Sequence, residues 1–286
     1  GYCIIVIEHR LDVVLPFVDK VFHVGNRKVN EITDRENYLK EQSTEIEDAC
    51  LAFSGTLPVF SLSDVAFSVK DRDILNGVTF DILKGSRAVL LGENGCGKTT
   101  LLRLISRLEK PTRGVILQNI DDKFGQKSKQ SKKWYKKVGV VYQNPDYQLF
   151  MPTVENEIKF GAKSDEYADE IAEKFGVKHL YVRHPQSLSE GQKRRVSIAA
   201  VVATNPEVLI LDEPTVGQDY KGLCEMVAVL NRIHEETHNT MITVTHDKRC
   251  AAALCDRAVW IKDGKTYKTG DKQLIDEFFT IRQDKS

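Results

Sequence analysis

Gly92-Glu93-Asn94-Gly95-Cys96-Gly97-Lys98-Thr99 fits the spacing G-x-x-x-x-G-K-[ST], and its flanks decide how it is read. Before it, Arg87-Ala88-Val89-Leu90-Leu91 has the pattern of a central strand covered on both faces. After it, Thr100-Leu101-Leu102-Arg103-Leu104-Ile105 is helical in pattern. Strand, glycine-rich turn and helix in that order make an anion cradle. The glycines let backbone N–H groups turn inward, and the helix presents its positive N-terminal end, with Thr100 in its first turn. Lys98 is expected to reach the terminal phosphates of a nucleotide and Thr99 to coordinate magnesium. A glycine-rich turn without nucleotide is the competing reading, and the strand–loop–helix context argues against it. Cys96, beside the helix start and Lys98, is expected to have a lowered thiol pKa.

Val208-Leu209-Ile210-Leu211 and Met241-Ile242-Thr243-Val244 repeat the buried-strand pattern, separated by helical stretches such as Leu223 to Ile233. Strands alternating with helices imply a right-handed, largely parallel α/β sheet. Asp212 and Glu213 leave the first of these runs at its carboxyl end, where ligands of open α/β sheets gather. Asp212 is expected to hold magnesium and Glu213 to polarise an attacking water. Alone, such a pair is often an ordinary strand end; beside the phosphate loop it is a partner. His246 closes the second run and is expected at the same edge, within reach of a γ-phosphate or its water, although a lone strand-end histidine is more often structural. Gln143, after Val140-Val141-Tyr142, can bind magnesium or position water through its amide. Ahead of the loop, Ser61 to Val69 and Val78 to Ile82, with Asp71-Arg72-Asp73 between them, predict an antiparallel hairpin.

The 286 residues hold one full domain plus an appendage. Lys+Arg and Asp+Glu total 41 each, so no net field argues for nucleic acid or an anionic membrane. The six cysteines form no Cys-x-x-Cys pair, which suits a reducing compartment rather than a zinc site or disulfide framework. The longest apolar runs fall far below the roughly 18 residues of a membrane-spanning helix. Seven lysines with Trp134 and Tyr135 between Lys123 and Lys137 read as a solvated loop in preference to a nucleic-acid patch.

The first residues echo the last. Ile4-Ile5-Val6-Ile7-Glu8-His9 is followed ten residues after the histidine by Asp19-Lys20-Val21-Phe22, and then by Gly25-Asn26-Arg27-Lys28. Met241 to His246 is followed at the same spacing by Asp256-Arg257-Ala258-Val259, then by Asp263-Gly264-Lys265. The echo reads as the tail of a duplicated unit, in preference to two βαβ segments that look alike by chance, with Cys3 to Ile7 as a buried strand. Polar, acidic residues from Asp34 to Gly55 read as a linker with one or two short helices.

Leu188-Ser189-Glu190-Gly191-Gln192-Lys193-Arg194-Arg195 is a helix start with Ser189 as N-cap. Taken with the phosphate loop, Gln143, Asp212-Glu213, Thr215 to Asp219 and His246, it makes the chain from Val59 to about Gly270 resemble the ATP-binding cassette family. Gln143-Asn144-Pro145-Asp146-Tyr147-Gln148-Leu149-Phe150 and Glu213-Pro214-Thr215-Val216-Gly217-Gln218-Asp219 resemble in particular its energy-coupling-factor group, in tandem two-cassette form.

The resemblance implies a P-loop α/β nucleotidase with a largely parallel core sheet, an antiparallel β subdomain and a helical signature subdomain. It implies ATP and Mg2+ as ligands, and Ser189, Gly191 and Gln192 closing on the nucleotide of a facing cassette. The implied partners are a second cassette, a transmembrane coupling protein and a substrate-binding membrane subunit, with no direct nucleic acid. The expected location is peripheral, on the cytoplasmic face of the cell membrane. The expected division is 1–33, remnant of a preceding cassette; 34–58, linker; 59–275, ATP-binding domain; and 276–286, tail. A soluble cassette acting as an ATP-gated clamp on nucleic acid or ribosome is the alternative. Only about 90 residues separate Lys98 from Leu188, with no heptad run to form a clamp's coiled coil. Two positions depart from the family pattern: Glu190 replaces the second signature glycine, and Val69 stands where an adenine-stacking aromatic is usual.

Overall fold

The computed structural model describes residues 3–7, 14–25, 28–35, 37–38, 55, 57–70, 72–120 and 132–283. Its centre is a six-stranded sheet built from β5 (Arg87–Leu91), β7 (Val138–Val141), β8 (Val208–Asp212), β9 (Thr240–Val244), β10 (Arg257–Lys262) and β11 (Lys265–Asp271). The order is β11-β10-β5-β9-β8-β7, parallel throughout except for the antiparallel β10–β11 pair. Successive side chains of a strand point to opposite faces, and here both faces are covered. Ala88 and Leu90, Val208 and Ile210 and Ile242 join one apolar cluster. Val89 and Leu91, Leu209 and Leu211 and Met241 join the other. This two-sided burial is why these strands read as unbroken apolar runs.

The first cluster is closed by α1 (Lys98–Ile105) and by the three-stranded antiparallel sheet of β3 (Pro58–Val69), β4 (Arg72–Leu83) and β6 (Arg113–Gln118), in the order β4-β3-β6. The second is closed by α5 (Glu190–Ala203), α6 (Tyr220–Thr237), α7 (Lys248–Leu254) and α8 (Lys272–Gln283). Two short helices, α3 (Val154–Lys159) and α4 (Asp165–Lys174), pack on α5 and form the helical subdomain with it. Both open on side-chain caps, Thr153 accepting from the Asn156 N–H and Ser164 from the Tyr167 N–H. A further short helix, α2 (Lys132–Lys137), precedes β7.

β1 (Phe22–Gly25) and β2 (Lys28–Glu31) form a separate antiparallel pair. Gly25 pairs with Lys28, as Lys262 pairs with Lys265 between β10 and β11. The buried strand expected over Cys3 to Ile7 is not found. Residues 3–7 carry no strand assignment, and Ile4 and Ile7 are 83% and 89% exposed. A strand of that composition needs hydrogen-bonding neighbours and two covering layers, and no described strand flanks it. His9 and most of the expected linker lie outside the described residues. The boundary expected at 275/276 falls inside α8, whose Leu274, Ile275, Phe278 and Phe279 are buried. Among the described residues, no helix is long and apolar enough to cross a membrane.

Candidate active site

The loop between β5 and α1 is shaped by two close approaches. Gly97 has φ 102°, and a Cβ there would stand 2.5 Å from the Leu75 side chain. At Gly92 a Cβ would stand 2.5 Å from the Ile261 carbonyl oxygen. Only glycine fits either position. Inside the loop the Lys98 ammonium donates to the carbonyl oxygens of Gly92 (2.8 Å) and Glu93 (2.9 Å), and burial lowers its pKa. The Cys96 expectation is overturned. Burial raises its thiol pKa and outweighs the opposing pull of Lys98, because the side chain is half-buried against the core.

Asp212 ends β8 at 5% exposure, with Oδ2 3.5 Å from Thr99 Oγ1. Glu213 follows in the left-handed region, φ 51°, held there by its N–H donating to the Val244 carbonyl at 2.8 Å. That conformation costs a non-glycine residue about 1–2 kcal/mol. Burial, reinforced by Asp212, pushes the Glu213 pKa up to about 7. Its Oε2 accepts from the His246 N–H at 3.2 Å. The His246 ring Nε2 stands 3.5 Å from Oε1, at ion-pair distance but without hydrogen-bond alignment.

These groups share a cavity of about 900 Å³ at the carboxyl edge of the parallel strands. Asn94, Gly95, Gly97, Lys98, Thr99 and Thr100 line one side, and Gln143, Asp212, Glu213 and His246 the other. Gly92, Glu93 and Cys96 shape the loop without lining it. Val69 does not line it either, whereas its cross-strand partner Arg72 and Ile74 do.

Ser189, Gly191 and Gln192 are absent from the cavity wall. Ser189 and Gln192 form a reciprocal capping box at the start of α5. The Gly191 carbonyl accepts from Gln218 Nε2 at 2.9 Å, tying this helix start to the cavity-lining loop before α6. Glu190 turns its charge to solvent, 3.7 Å from Lys193. Two features were missed by sequence reasoning. The buried Arg194 guanidinium donates to the Tyr142 (2.7 Å) and Gln143 carbonyl oxygens, and Arg282 of α8 contacts His246 Nδ1 at 3.2 Å. Arg194 stands in the quoted helix start, but nothing in its spacing marks it as buried.

Among the described residues, no cluster of three His, Cys, Asp or Glu side chains forms a metal site. Thr99 hydroxyl, Gln143 amide and Asp212 carboxylate are instead an all-oxygen set, suited to a hard divalent cation that draws its other ligands from phosphate and water.

An energy-coupling factor transporter ATP-binding protein, EcfA2 of Enterococcus faecalis, is 40% identical over 221 residues, covering 72% of this chain and 74% of that protein. The chain belongs to the ABC transporter family of ATPases. That family's profile matches residues 75–216, from β4 through the phosphate loop to Asp212-Glu213 and just beyond. The solved structure of cbiO1 from Clostridium perfringens, part of the ABC transporter complex cbiONQ, superposes with a TM-score of 0.68. It is 31% identical over 80% of this chain and 94% of that one. YkoD of Bacillus subtilis, named as an HMP/thiamine import ATP-binding protein, aligns over 97% of this chain at 29% identity, and the chain spans 58% of its length. The ABC ATPase fold is therefore the α/β architecture described above.

Proposed function

We propose that this ABC ATPase is the motor subunit of an energy-coupling-factor-like transporter, coupling MgATP binding and hydrolysis to uptake of a vitamin or metal ion. One observation carries the hydrolytic part: Lys98, Thr99, Gln143, Asp212, Glu213 and His246 line a single cavity at the strand ends. In this reading residues 92–100 cradle the phosphates, with Lys98 on the terminal ones. Magnesium, held by Thr99, Gln143 and Asp212, would neutralise phosphate charge. Glu213 accepts a hydrogen bond from the attacking water and His246 orients it. The water oxygen bonds to the γ-phosphorus and passes a proton to Glu213, the bond to the β–γ bridging oxygen breaks, and ADP leaves with the electron pair, giving ADP and inorganic phosphate.

The transport half is supported by the relatives' names, energy-coupling factor ATP-binding protein among them, and the vitamin class by the thiamine-related name of YkoD. The partners in this reading are a second cassette, a transmembrane coupling protein and a substrate-binding membrane subunit, with the motor peripheral on the cytoplasmic face. Residues 1–33 fit the remnant of a preceding cassette: the antiparallel register of β1 on β2 repeats that of β10 on β11 at the Gly25–Lys28 and Lys262–Lys265 pairs, and the YkoD alignment runs over nearly the whole chain. Glu213→Gln tests the hydrolytic assignment. It should keep ATP binding and lose most single-turnover hydrolysis, roughly a hundredfold or more. A rate within a few-fold of the parent would remove Glu213 from the reaction.

A further inference from the structure

The last described helix, α8, reaches the candidate active site. α8 is anchored by Leu274, Ile275, Phe278 and Phe279 in the core, with Phe278 edge-on to Trp260 of β10 at 5.1 Å between ring centres. The Lys248–Asp276 ion pair, 3.1 Å, ties it to α7, whose N-cap Asp247 directly follows His246. In its last turn, Arg282 brings a guanidinium nitrogen to 3.2 Å from His246 Nδ1.

An arginine is always a donor, so the Nδ1 facing it must be the acceptor nitrogen of the ring. In a neutral imidazole the proton then sits on Nε2, the nitrogen 3.5 Å from Glu213 Oε1. We propose that Arg282 is a positioning residue for His246: the end of α8 fixes the Nε2–H tautomer and the ring plane, so that the ring N–H stands on the Glu213 side and is presented to the reacting phosphate. The inference rests on the assignment of His246 to the hydrolytic site and adds to it a second requirement, that α8 be docked. Nothing in the local sequence around His246 announces this, because the two residues are 36 positions apart and meet only through the packing of α8 on α7 and β10.

The test uses the full chain. Arg282→Ala should lower kcat for ATP roughly three- to tenfold with little change in KM, since the phosphate cradle is untouched. Arg282→Lys, which keeps a cationic donor, should recover part of it. In a His246→Ala background, Arg282→Ala should cause no further loss. Nitrogen-15 NMR of labelled histidine should report Nε2–H at His246 in the parent and a mixture of tautomers in Arg282→Ala. The NMR readout does not depend on turnover, and a matching melting temperature separates positioning from unfolding. Full turnover in His246→Ala alone would overturn the assignment of His246. A normal loss there, with an unchanged tautomer in Arg282→Ala or an additive effect in the double variant, would overturn the role of Arg282 alone.

Discussion

At Cys96 two opposing effects act on one thiol, and their order decides its reactivity. The nearby Lys98 and the loop N–H groups favour the thiolate, but desolvation outweighs them because the side chain lies half-buried against the core. The Lys98 ammonium is also turned toward the Gly92 and Glu93 carbonyl oxygens. Cys96 should therefore be labelled by a maleimide at neutral pH more slowly than the exposed Cys3 of the same chain, with a rate that keeps climbing into the alkaline range. Peptide mapping after timed labelling measures both sites in one sample. Equal rates would restore the activated thiol that the sequence alone predicts. Spacing shows which charges lie near Cys96, whereas the dielectric around it is a property of the folded core.

Among the elements, α5 links the signature segment to the strand-end segment that carries Gln143. Arg194 is 3% exposed, and its guanidinium serves the Tyr142 and Gln143 carbonyl oxygens together. Beside it, Lys193 pairs with Asp146 at 2.8 Å. Arg194→Ala would strand two carbonyls and remove charge-assisted bonds, so urea unfolding should show a loss of about 3 kcal/mol. A loss below about 1 kcal/mol would mean that water or a neighbour replaces the guanidinium. The parallel strands were legible because their burial on both faces imprints a continuous apolar signature, and the phosphate loop because glycine is required at fixed positions. β6 was not, since Arg113, Gly114 and Val115 are exposed and carry no alternation. α3 and α4 were equally hidden, being too short, at 6 and 10 residues, to build a decisive period of 3.6. The Arg282–His246 contact depends on how α8 packs, which no local pattern encodes.

At the scale of the whole molecule, the glycine-rich loop before α1 and the segment that resembles a signature do not face the same space. Lys98 lines the cavity, while Ser189 stands exposed at the start of α5, outside its wall. If Ser189 and Gln192 serve a nucleotide, it is one held by another cassette, and hydrolysis by this chain requires association. Turnover per chain should then rise with chain concentration and level off as dimers fill, tracked by sedimentation in the same buffer. Complementation gives a sharper measurement. A Lys98→Ala chain keeps its signature and a Ser189→Arg chain keeps its phosphate loop, so each should be nearly inactive alone. Mixed in equal amounts, random pairing rebuilds one complete site in half of the dimers, and roughly a quarter of the parental rate should return. Lys98→Ala should show weak nucleotide binding, whereas Ser189→Arg should bind normally, because only the former alters the cradle. Full turnover from a sample that sediments as a monomer at every concentration would refute the shared site. A mixture no more active than its parts would do so as well, provided both variants still dimerise.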